Sequence, residues 1–289
     1  MQGKYLGQAG LSLLLGLLVG LAGSDGGESR GGIPLFLGFV IFAFVVQWVV
    51  FLPSYLKRTE HYFDLAGSVT YQAIAILALI LTATRDARTV ILAFMVWIWS
   101  FRLGLFLFQR VRSAGKDGRF DKIKNDWANF LMVWTLQGLW ITFTSAAAVA
   151  AMTSGDKRSL GVIGIIGIAV WALGFGFEVV ADRQKSAWRA EPANAGRFIT
   201  GGLWSWSRHP NYFGEFLLWV GAAIVAAPAL QGWQYVTLLS PVFVYLLLTK
   251  ASGVPALEAK ADKKWGGQVE YESFKAATPV FFPRPPATG

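Results

Sequence analysis

Residues 34–56 read PLFLGFVIFAFVVQWVVFLPSYL and carry no charged side chain along their whole length. At 1.5 Å rise per residue, about 20 such positions cross the ~30 Å hydrocarbon core of a bilayer as a helix. In lipid the backbone polar groups must bond within the segment, so a run like this one can only be helical. Similar runs recur at roughly 5–22, 65–84, 89–109, 128–151, 160–181, 212–227 and 233–250. The fold expected is therefore all-α: a polytopic integral membrane bundle of about eight transmembrane helices, seven if the first run is lost, forming one membrane domain over 1–289. Lys4 followed by an apolar stretch ending near Ala22-Gly23-Ser24 also fits a cleaved signal peptide. Composition agrees with the membrane reading: 54% of residues are hydrophobic and 15% charged, where soluble domains carry roughly 25% charge.

Eight helices place the loops alternately on two sides, and the basic residues test that segmentation. Of 26 Lys and Arg, 20 fall on the side of both termini, five on the other, and Arg102 within the fourth run. The asymmetry predicts cytoplasmic termini. The net charge of +9 is read as orientation and contact with anionic membrane lipids, not as nucleic-acid binding. The absence of cysteine excludes disulfides and thiol chemistry, and two histidines, His61 and His209, give no metal site. No internal repeat or coiled-coil heptad is visible, and the oligomeric state is left open.

Chemistry concentrates between Glu178 and Glu215. Asp182, Lys185 and Arg189 stand at i, i+3 and i+7, so a sixth helix continuing past the membrane surface would carry them as one charged stripe. A Gly201-Gly202 turn follows, then Leu203 through Arg208-His209-Pro210-Asn211-Tyr212-Phe213-Gly214-Glu215. Pro210 suits the first turn of the seventh helix. A helix N-terminus with Arg208 beside it, and Arg189 and Arg197 near in sequence, suits a phosphate-bearing ligand. The plainer reading holds these arginines at the membrane interface. Asn211 and Glu215 share a face within the membrane boundary, where a carboxylate marks a functional candidate or a structural partner for an arginine. Trp204 and Trp206 flank the motif and offer faces for stacking. The loop from Arg110 to Trp127, with Asp117, Asp121 and Asp126 among its cations, either covers a ligand or touches headgroups.

The segment from Gly201 to Glu215 resembles the signature of the steroid 5α-reductase and sterol reductase superfamily, in particular its bacterial branch. The stretch Ser252-Gly253-Val254-Pro255-Ala256-Leu257-Glu258, with Asp262, Lys264-Trp265-Gly266, Tyr271, Phe274 and Thr278-Pro279, looks like that family's closing segment. The resemblance is strong over about 170–283, weaker over 60–140 and absent before 55. It implies an NADPH-dependent reductase of the inner membrane that delivers a hydride to an activated carbon–carbon double bond of a lipid, such as a 3-oxo-Δ4 steroid, from a cofactor site on the cytoplasmic side. Residues 160–283 would then form the cofactor-binding half, and the helices of 1–150 would line the lipid cavity.

Carried over by position, the resemblance assigns Asp182, Arg189, Asn211, Glu215, Glu258 and Arg102 to the cofactor site, and the charged stripe, helix start and flanking motif add Lys185, Arg197, Trp204, Arg208, His209 and Tyr212 to cofactor binding. Gln137-Gly138 resembles the family's Leu-Gln-Gly step. The Gln-Glu segment with which steroid reductases grip the ketone is missing. Asp64, with Tyr71 further along, resembles the bacterial counterpart and could polarise a carbonyl, while Asp64 would equally serve as a helix cap. A second resemblance, through Arg-His-Pro-x-Tyr-x-Gly, is to the S-adenosylmethionine-dependent isoprenylcysteine carboxyl methyltransferases. A third reading is a non-catalytic membrane protein or transporter.

Overall fold

The structure is a computed structural model that describes residues 2–114 and 118–286. Among them run ten α-helices: α1 (Gln2–Gly23), α2 (Leu35–Leu56), α3 (Phe63–Leu81), α4 (Ala87–Ala114), α5 (Trp127–Thr153), α6 (Gly161–Ala190), α7 (Pro210–Ala226), α8 (Ser240–Leu246), α9 (Gly253–Trp265) and α10 (Val269–Ala277). A two-stranded hairpin, Ser29–Arg30 against Ile33–Pro34, is the only sheet among the described residues. Eight segments are long and apolar enough to cross a membrane, as the sequence predicts. The eighth, Gly232–Trp265, is irregular: a 3-10 stretch leads into α8, then a π turn at Leu247–Ala251, then α9. Pro241 and Pro255 account for the breaks, since proline removes a donor and its ring crowds the carbonyl one turn back.

The chain forms two compact units. The first comprises Met1–Ile165 and Ala222–Ser240. Here α5 is the central helix, packed by α1 to α4, and its run Ala146–Ala151 is fully buried. Small residues set the spacing, because lipid supplies little hydrophobic drive between helices and close van der Waals packing must replace it. A Cβ at Gly16 or Gly23 of α1 would stand 2.5 or 2.4 Å from the rings of Phe44 and Phe36 on α2. Ser68 of α3 donates to the Ser100 carbonyl of α4 at 2.6 Å, and Gln47 of α2 donates to Thr70 at 2.9 Å. Buried Arg88 satisfies the carbonyls of Val225 and Ser159. One end closes with an aromatic cluster of Phe120, Phe130 and Trp134, on which Phe51 and Phe63 pack.

The second unit comprises Ile166–Gly221 and Pro241–Gly289. Its two long helices, α6 and α7, meet backbone to backbone. A Cβ on Gly174 would lie 2.4 Å from Leu218 N, one on Gly214 2.5 Å from Glu178 N, and one on Gly221 2.4 Å from Trp171 N. No side chain fits at these crossings, so glycine is required there.

Candidate functional site

The second unit gathers most of the polar residues singled out in the sequence. Helix α6 continues unbroken to Ala190, so Asp182, Lys185 and Arg189 do ride on one helix. Gln184 organises the chain that returns: its Oε1 accepts from Leu203 N at 3.0 Å, and Gly202, at φ 63°, lies where any Cβ would strike the Gln184 amide. The 3-10 turn Gly202–Ser205 then drives Trp204 into the interior, where its indole Nε1–H donates to the Ala181 carbonyl at 3.0 Å. The Lys185 ammonium sits 4.1 Å from the centre of the Trp204 ring, so a cation occupies this indole face. Trp206 stays exposed, and its carbonyl accepts from Arg284 N.

Helix α7 begins at Pro210, as expected. Asn211, in its first turn, donates through Nδ2 to Asp182 Oδ1 at 3.2 Å, joining the two helices at the polar end of their glycine seam. Asp182 and Glu215 are buried, as is Glu178, one turn before Asp182. Ser207 accepts from His209 N and donates to the carbonyl of Phe281, tying the motif to the C-terminal segment.

Glu258 of α9 is the hub of a second cluster. One oxygen lies 2.8 Å from His209 Nε2 and the other 2.9 Å from an Arg208 amino nitrogen. Burial pushes the His209 ring below its ordinary value; the Glu258 hydrogen bond and charge oppose this, and the Lys185 and Arg208 charges add to it. The ring is therefore neutral at pH 7. Because a carboxylate only accepts, the proton is on Nε2 and Nδ1 is a bare acceptor. Among the described residues, His209 Nδ1 and Arg208 Nε are buried with no hydrogen-bond partner. Such orphans are costly unless something bonds to them. Arg208 Nε is a donor and His209 Nδ1 an acceptor, so a group meeting either must offer the complementary atom. Tyr212 stacks on His209, centroids 5.7 Å apart, and itself fills the space over Gly253.

Arg189 and Arg197 are exposed, at the end of α6 and just beyond it. The backbone around Arg197 is anchored: Trp265 donates to the Gly196 carbonyl at 2.6 Å, and Phe198 packs on Trp265, Tyr271 and Phe274. That patch is braced by Asp262, which accepts from Tyr271 and Lys275 at 2.8 and 2.7 Å. Burial, then the bond to Asp262, pushes the Tyr271 hydroxyl well above the usual phenol range, so it stays a donor.

Asp64, Tyr71 and Arg102 belong to the first unit. Asp64 falls within the first turn of α3, whose N-cap position is Tyr62, so it does not cap that helix. Tyr71 is buried edge-on against Trp99, centroids 5.1 Å apart. The Arg102 guanidinium lies 6.0 Å over the Phe106 ring. Gln137 donates to the Phe63 carbonyl at 2.8 Å across the bare Cα of Gly67, which places the start of α3. Of the Arg110–Trp127 loop, Lys116 and Asp117 lie outside the described residues; Asp126 caps α5, and Lys124 pairs with buried Glu60 at 2.6 Å.

The sequence assigns no role to Glu178 or Gln184 and no packing role to the seam glycines. The seven-residue spacings Gly167 to Gly174 and Gly214 to Gly221 were the available signal for the seam. Nothing in the sequence pairs Arg208 and His209 with Glu258, 49 positions beyond His209.

Fold and site together define a polytopic helical membrane protein with a partly buried polar cluster of acids, amide, imidazole and guanidinium. The chain belongs to the DUF1295 family, described as proteins of unknown function, whose model matches residues 48–278. It is 23% identical over 188 residues to the uncharacterized protein C594.04c of Schizosaccharomyces pombe, covering 55% of each chain. It is 27% identical over 130 residues to the probable O-methyltransferase ustE of Ustilaginoidea virens, covering 45% of this chain and 43% of that one. The chain thus spans about half the length of these curated relatives. No solved structure matches it.

Proposed function

We propose that this protein is an NADPH-dependent membrane reductase acting on an activated carbon–carbon double bond of a lipid, a 3-oxo-Δ4 steroid or another enone. The observation that carries the reading is the two-part character of the second unit. An inner set of buried groups, the Asp182–Asn211 pair and the orphaned Arg208 Nε and His209 Nδ1 beside Glu258, supplies hydrogen-bond donors and acceptors. An outer set, Arg189 and Arg197, supplies exposed guanidiniums. A dinucleotide has the matching halves: a carboxamide-bearing ring for the first set and phosphates for the second. Bound there, NADPH would supply the hydride. Asn211 and His209 would orient the carboxamide, and Arg189 and Arg197 would neutralise phosphate. Lipid-lined helices would keep water from the reacting carbon. The cofactor would enter from the cytoplasmic side, in keeping with the basic loops.

A second reading, an S-adenosylmethionine-dependent methyltransferase, is favoured by the similarity to the probable O-methyltransferase ustE. S-adenosylmethionine carries no phosphate and leaves Arg189 and Arg197 without a role. Ligand-dependent melting of the detergent-purified full chain separates the two. A ligand at ~100 times its dissociation constant adds about 2.7 kcal/mol to stability. Stabilisation by NADPH, with NADH weaker, is the expected result; stabilisation by S-adenosylmethionine alone would establish the second reading, and response to neither would leave a non-catalytic role.

A further inference from the structure

The first unit holds an open cavity of about 440 Å³ where α2 ends, α3 begins and α4 leaves its apolar stretch, within the roughly 300–1,000 Å³ common for ligand pockets. Lys57, His61 and Arg112 line it with Thr59, Tyr62, Phe108 and Val111, and no acidic residue does so among the described residues. The cations nearby are already engaged. Arg58, held at φ 51°, donates to the side chain of Asn125 at 3.0 Å, and Lys124 is taken by Glu60. Lys57 and Arg112 have no acidic partner among the described residues, and both are exposed. The Thr59 hydroxyl accepts from His61 N and lies 2.8 Å from His61 Nδ1. That contact occupies Nδ1 and leaves Nε2 as the ring nitrogen open to a ligand.

Donors of one sign over an apolar floor, at the depth where spanning helices end, fit a particular chemistry. We infer that this cavity binds the phosphate-bearing headgroup of an anionic amphiphile. Lys57, Arg112 and His61 Nε2 take the phosphate oxygens, and Phe108, Val111 and Tyr62 take the first methylenes of the chain. The inference is independent of the reductase reading, since none of these residues belongs to the second unit.

Native mass spectrometry of the full chain in a neutral detergent tests it, with dioctanoyl phosphatidic acid as probe and dioctanoyl phosphatidylcholine, inorganic phosphate and NADPH as comparisons. The wild type should retain phosphatidic acid at least about tenfold more tightly than phosphatidylcholine, and Lys57→Gln with Arg112→Gln should remove that preference, a loss of two charge-assisted contacts. Phe108→Ala should weaken phosphatidic acid while leaving its preference over phosphatidylcholine. Equal retention of the two lipids by the wild type overturns the inference, as does a preference that survives the double substitution. Displacement of the lipid by inorganic phosphate at equal concentration would make this a free-anion site, and displacement by NADPH a nucleotide site; either result also overturns it. If the double variant does not yield folded protein, the wild-type ratio and the two displacement arms decide alone.

Discussion

Substituting Gly214 by alanine adds one methyl group at the crossing of the α6–α7 seam nearest the Asn211–Asp182 bond. That Cβ would stand 2.5 Å from Glu178 N, 2.7 Å from Gly174 O and 2.9 Å from Glu178 Cα. All three are backbone atoms and no rotamer relieves them. Ordinary contact begins at 3.4 Å, so the helices must part by about 0.9 Å at this level. Overpacking of this kind costs roughly 1–3 kcal/mol. The larger effect falls one turn away: the Asn211–Asp182 hydrogen bond is already 3.2 Å long, and the same displacement takes it beyond hydrogen-bonding range. If Asn211 orients the ligand, misplacement by about 1 Å costs on the order of 10²-fold in turnover. Gly176→Ala is the control on the facing helix α6, with nothing within 4 Å of its Cβ, and should be neutral or slightly stabilising. Melting of the detergent-purified protein, alone and with NADPH, reads both effects. A Gly214→Ala protein that melts with the wild type and keeps its ligand response would refute the seam as the element that positions Asn211.

Three further outcomes follow from the second unit. Glu258→Gln removes the charge between Arg208 and His209 and should cost about 1.5–3 kcal/mol at these mostly buried groups; a double-mutant cycle with Arg208→Gln should show coupling, and strict additivity would mean that the pair contributes nothing. Since burial holds His209 below its unfolded value, the unfolded chain binds the proton first, and stability should be flat from about pH 8 to 7 and fall as pH drops through about 6.5; His209→Asn should flatten that slope down to the carboxylate range, and an unchanged slope would assign it elsewhere. Arg189→Ala should weaken NADPH more than NADH if its guanidinium meets the 2′-phosphate, whereas equal losses in titrations with the two nucleotides would move it to the pyrophosphate.

Spans were legible because a bilayer imposes length and apolarity on any crossing helix: the eight runs match eight helices. The start of α7 was legible at Pro210, where a missing donor is harmless, and the extension of α6 was legible from the spacing of Asp182, Lys185 and Arg189. The π turn before α9 was not legible, because prolines announce a break without specifying how the backbone absorbs it. Asp64 as a cap was one of two readings open in the sequence; the N-cap position of α3 falls at Tyr62, two residues before Asp64, which decides against it.

What the chain's own order of residues determined is local: which stretches enter lipid, where helices begin, and which segment carries charge too costly to be incidental. Partnership was decided only in three dimensions. Glu258 meets Arg208 and His209 because α9 returns to the start of α7, and Asn211 reaches Asp182 because bare glycines let two backbones touch. The physical reason is range: burial and helix propensity act within a few residues along the chain, whereas hydrogen bonds and ion pairs need atoms within about 3–4 Å, and the packing of the whole unit sets which atoms those are.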